Sequence, residues 1–241
     1  MSVKKTRWNP RISILWILMI GVFLYVWMSR RVLTISPFEN SPPSFHILIA
    51  TAGRPSLRKL LDSLKDQLTE RDAITIVFDG EGGKAKSGIQ RDWLKGHQSQ
   101  IQVHEQTPNL GFWGHGIRSK YQGILSPKCT YIMHADDDDF YHAGAFAKLR
   151  KLCKDPNVLY IGKFERVYDD KPTEYFPPHG YKTIEIGKIG TPCGIIPWNS
   201  AAKAKWGEYH GGDGQYYLDL KDHVAGHVFL DEVMYSVKGR N

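Results

Sequence analysis

Residues 130–141, TYIMHADDDDFY, carry the strongest structural signal in this sequence. The run 130–134 is typical of a buried strand, and four aspartates follow it after Ala135. Adjacent carboxylates repel one another, and a divalent cation such as Mg²⁺ or Mn²⁺ removes that cost by binding their oxygens. In a parallel α/β sheet, ligands bind at the carboxyl ends of the strands. We therefore predict a metal site within residues 136–139, with a solvated acidic turn as the alternative.

Strand and helix patterns alternate on both sides of this stretch. Short apolar runs predict strands at 46–50, 74–78, 101–103, 158–168, 181–186 and 228–237. Helical spacing and composition predict helices at 57–68, 114–125, 144–153 and 215–220. The alternation indicates the α/β class, with a largely parallel sheet.

Two further groups of polar residues are predicted at the same edge of the sheet. Thr51, Gly53 and Arg54 follow the first strand with a hydroxyl, a flexible glycine and a cation, next to a helix start that can receive an anion. Asp79 ends the second strand, where a carboxylate can accept hydrogen bonds from a nucleobase or a ribose hydroxyl. The alternative for such residues is an ordinary helix cap or turn former.

Two glycine-rich segments complete the set of candidate site residues. In NLGFWGHGIR, residues 109–118, three glycines let the backbone approach a ligand closely, and Arg118 is expected to reach a phosphate. The segment lacks the Gly-Lys-Ser/Thr of a Walker loop. In GGDG, residues 211–214, Asp213 precedes a predicted helix, where it serves either as a general base or as the cap of that helix.

The first 45 residues differ in composition from the rest of the chain. Residues 12–28 carry no charge, and as a helix they span roughly 25 Å, slightly less than the ~30 Å hydrocarbon core of a bilayer. A cleaved signal peptide is the alternative, although it needs a small-x-small cleavage site and the apolar run is followed by Met-Ser-Arg-Arg. Basic residues before the span favour a cytoplasmic N-terminus by a small margin. We predict a basic tail at 1–11, a transmembrane signal-anchor at 12–28, a Pro- and Ser-rich linker at 29–45 and a folded catalytic domain at 46–241.

The charge and the cysteines exclude two classes of protein. The net charge is +7, and +5 of it lies in residues 1–45, so that the folded part carries only +2. A nucleic-acid binder, whose basic footprint belongs on the folded domain, is therefore not favoured. Three cysteines, Cys129, Cys153 and Cys193, exclude a scaffold held together by disulfides and leave a single bridge open.

Taken together, these motifs resemble those of the GT-A glycosyltransferases of the family 2 type. The resemblance covers roughly residues 45–237 and rests on Thr51-x-x-Arg54-Pro55, Asp79, Asn109-x-Gly111 with Arg118, and the acids at 136–139. It implies a Rossmann-like GT-A fold, which is a mixed sheet flanked by helices, and Mn²⁺ or Mg²⁺ as cofactor. It also implies a nucleotide-diphosphate sugar as donor, with UDP-sugar favoured, and a hydroxyl of a glycan, lipid or protein as acceptor.

The resemblance further implies a role for each candidate residue. The nucleotide-sugar-binding residues would be Thr51, Arg54, Asp79, Gly111, Arg118, Asp136 and Asp137. Asp138 would be the chief metal ligand, with Asp136 and Asp139 beside it, and Asp213 would be the catalytic base of an inverting transfer. The sequence departs from the family pattern in three places. Four acids run together, so the assignment of roles to individual acids can shift by one position. In addition, Ala143 replaces a proline, and Gly212 replaces the glutamate before the base.

The second half of the chain contains further candidates for ligand contact. Its aromatic residues can stack on sugar rings or form core: Trp198, Trp206, Tyr209, Tyr216 and Tyr217. His210, His223 and His227 are candidates for contact with the diphosphate, and structural histidines are the alternative.

Two other functions stay open at this point. A sugar-phosphate nucleotidyltransferase can share the same architecture, although it usually carries a more glycine-rich loop after the first strand. A non-catalytic, membrane-anchored module that binds metal or carbohydrate would use the same acids. For an anchored transferase we expect a single-pass membrane protein, of Golgi or ER type II topology in a eukaryote. In a bacterium we expect a cytoplasmic domain at the inner membrane.

Overall fold

The computed structural model describes residues 41–84, 88 and 94–239. The predicted basic tail, the predicted signal-anchor at 12–28 and most of the predicted linker lie outside the described residues. Within those ranges, no helix is both long enough and apolar enough to cross a membrane.

Four parallel strands form one half of the sheet, in the order β3-β2-β1-β4: β1 (Phe45–Thr51), β2 (Ala73–Asp79), β3 (Gln100–Gln106) and β4 (Tyr131–Asp136). β1 and β4 are buried almost throughout, as parallel strands covered on both faces must be. Their register sets Ala50 beside Asp136, while Thr51 lies beside Phe78 of β2. The strand ends therefore bring Thr51, Asp79 and the acids after β4 to one edge of the sheet.

The other half is mostly antiparallel, so the sheet as a whole is mixed. It contains β5 (Phe140–Tyr141), β6 (Val158–Val167), β7 (Glu174–Phe176), β8 (Gly194–Pro197) and β9 (Gly226–Lys238). β8 joins the two halves, because it pairs antiparallel with both β4 and β6. β9 runs parallel to β6, β5 pairs antiparallel with β9, and β7 pairs antiparallel with β6. The expectation of a largely parallel sheet thus holds for the first four strands and for the long β6–β9 pairing, whereas the short antiparallel pairings make the sheet mixed.

The strand predicted at 181–186 is wrong. Residues 177–190 contain neither helix nor strand, and they cross the domain with Ile184 and Ile189 buried in the core. Within 181–186 only Ile184 is buried, whereas Ile186 is exposed, so the run is held by a single apolar side chain and not by pairing with a strand. The short strands β5, β7 and β8 have two to four residues each, which is too few for an apolar run to reveal.

Helices flank the sheet: α1 (Leu57–Lys65), α2 (His115–Tyr121), α3 (Ala145–Leu152), α4 (Trp198–Ala201) and α5 (Gly212–Leu220). α1 shows why they pack there, since all of its leucines recur at helical spacing and are buried. The helices predicted at 57–68, 114–125 and 144–153 are confirmed with shorter bounds, and the run predicted at 215–220 begins earlier, at Gly212. All three cysteines are buried and free.

Candidate functional site

A cleft of about 770 Å³ opens at the edge of the sheet where the parallel strands end. This volume lies within the range of ordinary small-molecule sites. Predicted site residues from separate parts of the chain line it: Thr51, Arg54, Asp79, Gly111, Asp136, Asp137, Asp138, Asp139 and Asp213. The fold thus brings together all of the predicted site residues except Arg118.

The four acids alternate in exposure. The side chains of Asp136 and Asp138 are each 35% exposed, whereas Asp137 and Asp139 are buried. β4 ends at Asp136, and a turn follows in which the Asp139 N–H donates to the Asp136 carbonyl at 3.4 Å, so the difference in exposure comes from packing against neighbouring elements. All four acids line the cleft, and Asp136 and Asp138 have the more exposed carboxylates.

Asp137 ties the end of β4 to the end of β1. Its carboxylate accepts hydrogen bonds from the hydroxyl of Thr51 and from Nη1 of Arg54, the latter at 2.8 Å. The Thr51 hydroxyl in turn accepts the N–H of Gly53 at 2.9 Å. Burial raises the pKa of Asp137, while the Thr51 hydrogen bond and the Arg54 charge oppose that shift. Thr51 and Asp137, both predicted to contact the nucleotide, are thus bound to each other in this structure.

Asp139 lies in the interior, where it packs near β9. Burial, and then the charges of Asp136 and Asp138, raise its pKa to about 8. The residue lines the cleft although its side chain is buried, and its role as a metal ligand stays a prediction.

The guanidinium of Arg54 lies against two of the acids. Its Nη1 is 2.8 Å from the carboxylate of Asp137 and 2.7 Å from that of Asp138. Nearly half of the Arg54 side chain is exposed, so water screens both ion pairs. The contact places the Arg54 cation beside the carboxylate of Asp138 at the cleft, where it is also accessible to the phosphates of a ligand.

Asp79 fixes the first glycine-rich segment. Its carboxylate accepts the N–H groups of Leu110 at 2.7 Å and Gly111 at 2.8 Å, and its carbonyl accepts Nδ2 of Asn109 at 3.0 Å. Gly111 has φ +67°, a backbone conformation that favours glycine. Asp79 and Gly111 therefore line the cleft as one unit, and the nucleobase contact of Asp79 stays a prediction.

Arg118 is fully buried and does not line the cleft. Its Nη2 lies 2.5 Å from Oδ1 of Asp136, and its Nη1 donates to the carbonyl of Trp113 at 2.9 Å. Gly114 leaves room for this arrangement, because a Cβ there would lie 2.7 Å from the Cβ of Ala50 and 3.0 Å from Arg118 Nη1. The structure corrects the prediction that Arg118 reaches a phosphate: its enclosed guanidinium orients the carboxylate of Asp136 instead.

Asp213 stands in the first turn of α5. Its carboxylate accepts the N–H of Gly214 at 2.8 Å and the N–H of Thr191 at 3.1 Å, as an acid at the positive end of a helix dipole can. Gly212 admits no side chain, because a Cβ there would lie 2.2 Å from the carbonyl oxygen of Gly207. Asp213 thus accepts hydrogen bonds at the start of α5 and also lines the cleft.

The histidines and aromatic residues of the second half divide between cleft, core and surface. His210 lines the cleft, whereas His223 and His227 are exposed and do not. Trp206 and Tyr216 are buried, with their rings stacked at 4.3 Å. All five aromatic residues considered for sugar stacking lie outside the cleft lining: Trp198, Trp206, Tyr209, Tyr216 and Tyr217.

A second wall of the cleft consists of residues that no sequence motif predicts. It consists of Phe164, Arg166, Tyr168, Phe176 and Lys238, which lie on or next to β6, β7 and β9. The rings of Phe164 and Phe176 stack at 5.1 Å, and the Arg166 guanidinium lies 4.5 Å from the centroid of the Phe176 ring. These residues meet only because β6 pairs with both other strands, and pairing between distant segments leaves no local signal.

The donor set of the cleft suits a shared metal site rather than an all-protein cage. Among the described residues, no three His, Cys, Asp or Glu side chains are grouped so that they could hold a metal ion. Of the four successive acids, Asp136 and Asp138 have the more exposed carboxylates. Mg²⁺ is usually held by one or two carboxylates together with substrate phosphates and water. The residues present therefore fit a divalent cation that shares its coordination with a diphosphate.

Comparison with known proteins finds likeness in structure but not in sequence. No protein-family model matches the chain, and no curated protein matches it. The structure of S. aureus TarS 1–349, also solved in complex with UDP, matches with a TM-score of 0.61 and 13% identity over 81% of this chain and 60% of that one. The mannosyltransferase PcManGT from Pyrobaculum calidifontis, in complex with GDP-Man and Mn²⁺, matches with a TM-score of 0.58 and 15% identity over 89% of this chain and 64% of that one.

These matches show the fold alone, because the identities are low. This chain spans less than two thirds of the length of either structure. The predicted mixed α/β sheet with flanking helices is confirmed as an architecture that the chain shares with a nucleotide-sugar glycosyltransferase.

Proposed function

We propose that this chain is a metal-dependent, inverting glycosyltransferase of the GT-A type, similar to family 2. It moves a sugar from a nucleotide-diphosphate donor, with UDP-sugar favoured, to a hydroxyl of a glycan, lipid or protein. The observation that carries the proposal is the meeting of Asp136, Asp138 and Asp213 in one cleft at the carboxyl edge of the sheet. Two similar folds add support, since one was solved with UDP and the other with GDP-Man and Mn²⁺.

In this proposal the cleft-facing acids bind the donor. Asp138 and Asp136 hold Mn²⁺ or Mg²⁺, which when bound supplies positive charge to offset the negative charge of the departing diphosphate. Arg118 keeps the Asp136 carboxylate in place from below, through the 2.5 Å contact. The nucleotide lies along Thr51, Arg54, Asp79 and Gly111, where the ends of β1 and β2 open into the cleft.

Asp213 acts as the general base. Its carboxylate accepts the proton of the acceptor hydroxyl as that oxygen attacks the anomeric carbon, and a single displacement inverts the configuration. The N–H groups of Gly214 and Thr191 fix the direction of the carboxylate. Because Asp213 comes from α5 and the acids from β4, base and donor site belong to different elements that the fold holds in one cleft.

The two alternative functions predict different results in assays of this protein. A sugar-phosphate nucleotidyltransferase would release pyrophosphate from a nucleoside triphosphate and a sugar phosphate. A non-catalytic module would bind Mn²⁺ and show no affinity for UDP. A panel of nucleotide sugars with Mn²⁺, assayed for released nucleoside diphosphate, therefore tests the proposal directly.

Two substitutions separate the proposed roles. Asp138→Ala and Asp213→Asn should both abolish transfer, but only Asp138→Ala should also weaken Mn²⁺-dependent binding of UDP in calorimetry. Asp219→Asn is the matched control, since Asp219 is an exposed acid on the same helix as Asp213. Near-normal turnover by Asp213→Asn would show that another group is the base.

The N-terminal segment enters the proposal as a membrane anchor. Residues 12–28 form the transmembrane signal-anchor, and the catalytic domain follows the linker, in the Golgi or ER lumen in a eukaryote and in the cytoplasm in a bacterium. Full-length protein should stay in the membrane fraction after alkaline carbonate extraction. Release into the supernatant would rule out the anchor.

A further inference from the structure

Phe112 and Trp113 adopt a backbone conformation that their side chains disfavour. Their φ angles are +54° and +52°, and glycines with positive φ stand on either side of them, at positions 111 and 114. Left-handed conformations of bulky residues are strained, and such strain clusters at ligand-binding and active sites. The two side chains are also unusually exposed for aromatic residues, Trp113 to 65% and Phe112 to 43%. The chain therefore holds an indole out of the core in a conformation that costs free energy.

A buried cation holds the strained segment in place. Nη1 of Arg118 donates to the carbonyl of Trp113 at 2.9 Å, and Nη2 of the same guanidinium lies 2.5 Å from Asp136. Arg118 is fully buried, so it is a fixed support rather than a mobile surface side chain. The backbone of Trp113 is thus held at a set position relative to a cleft-facing carboxylate.

The indole of Trp113 lies in the cleft beside the segment that carries Asp213. Its ring meets the ring of His210 edge-to-face, at 6.2 Å between centroids, and that of His115 at 6.5 Å. His210 also lines the cleft and precedes Asp213 by three residues. Phe112, although it shares the strained backbone, is not among the residues lining the cleft. The two neighbouring aromatic residues therefore share an exposed side chain and a strained backbone, and only Trp113 lines the cleft.

We infer that Trp113 is a specificity-determining residue whose ring stacks against a sugar ring of the acceptor, an inference that rests on the proposed function. An exposed aromatic face is complementary to the apolar C–H face of a pyranose. The diphosphate of the donor belongs at Asp136 and Asp138, whereas the acceptor hydroxyl must reach Asp213. Because the indole stands beside the Asp213 segment, its occupant is the acceptor. The acceptor class is therefore a pyranoside, in a glycan or a glycolipid, rather than a protein side chain or a simple lipid alcohol.

Three variants of the full-length chain test this inference. Trp113→Leu keeps apolar bulk and removes the ring face, and Trp113→Phe restores a smaller ring. Phe112→Leu is the matched control, because it changes an exposed aromatic residue with the same backbone conformation outside the cleft. Each is assayed with Mn²⁺, a saturating nucleotide sugar and a panel of methyl pyranosides as acceptors, and calorimetry measures the Kd for UDP with Mn²⁺.

We expect Trp113→Leu to raise the KM for the pyranoside about tenfold or more, as loss of a central aromatic contact does. Trp113→Phe should recover part of this loss, and Phe112→Leu should stay within about twofold of the unmodified chain. The Kd for UDP and the melting temperature should change little in all three, because both side chains are exposed. Equal KM values for Trp113→Leu and Phe112→Leu would overturn the inference, and so would a matching loss of UDP affinity, which would assign the ring to the nucleotide. Failure of the unmodified chain to bind UDP with Mn²⁺ would instead overturn the proposed function, and this inference with it.

Discussion

The contact between Arg118 and Asp136 allows a quantitative test of how the site is built. Arg118→Leu removes a buried guanidinium that meets Asp136 at 2.5 Å and the carbonyl of Trp113 at 2.9 Å. Removal of one partner from a buried ion pair typically costs about 3–5 kcal/mol. The side chain of Asp136 is about one third exposed, so water solvates it in part and we take the lower end, about 3 kcal/mol.

Calorimetry measures the thermal unfolding of both variants and of the unmodified chain. For a domain of this size each kcal/mol lowers Tm by about 2–4 °C, so Arg118→Leu should melt about 6–12 °C below the unmodified chain. Arg58→Leu is the matched control, because Arg58 and Asp62 form an exposed i,i+4 pair at 3.7 Å. Such a pair contributes about 0.3–0.5 kcal/mol, which corresponds to no more than about 2 °C.

Binding supplies the second readout of the same variant. Without the Arg118 contact the Asp136 carboxylate samples other directions. The affinity for UDP in the presence of Mn²⁺ should therefore fall about tenfold or more. The reasoning is refuted if Arg118→Leu melts within about 2 °C of Arg58→Leu, because the guanidinium would then contribute no more than a surface charge.

Three further predictions concern a buried histidine of β1 and two residues that shape the cleft. Burial lowers the pKa of His46 to about 4 from 6.5, so the unfolded chain binds more protons than the folded one between these values and stability falls as the pH falls. Between pH 7.5 and pH 5 His46 should contribute a loss of about 2 kcal/mol, which urea unfolding measures as the difference in pH dependence between the unmodified chain and His46→Gln; equal slopes would contradict the assignment. Gly212→Ala should cost about 1–3 kcal/mol and abolish transfer, since its Cβ would meet the Gly207 carbonyl, whereas Gly226→Ala, with open space around it, should be neutral in both assays. Asp79→Ala should cost about 1–3 kcal/mol by freeing the N–H groups of Leu110 and Gly111, and unchanged melting would show that water replaces the carboxylate.

The edge of the sheet where the cleft lies could be predicted from the sequence, because its signals are local. The run 130–134 followed by four acids marks the end of a strand without knowledge of its neighbours. Thr51 and Asp79 mark two more strand ends in the same way, and parallel strands end at one edge. The strand predicted at 181–186 is wrong for the complementary reason: its alternation is local too, yet Ile184 is buried by packing against the domain without a partner strand.

The amino-acid sequence alone identifies the chemical groups and the edge of the sheet at which they gather. Which of these groups are exposed in the cleft depends on the folded structure. Four successive aspartates are equivalent in a sequence, and it is the packing of neighbouring elements around Asp137 and Asp139 that leaves Asp136 and Asp138 with the more exposed carboxylates. Likewise, the sequence predicts that Arg118 binds a phosphate. In the structure its buried guanidinium contacts the carboxylate of Asp136 and the carbonyl of Trp113 instead. The physical reason is the same in both cases: exposure depends on contacts between residues far apart in the chain, and no local pattern records them.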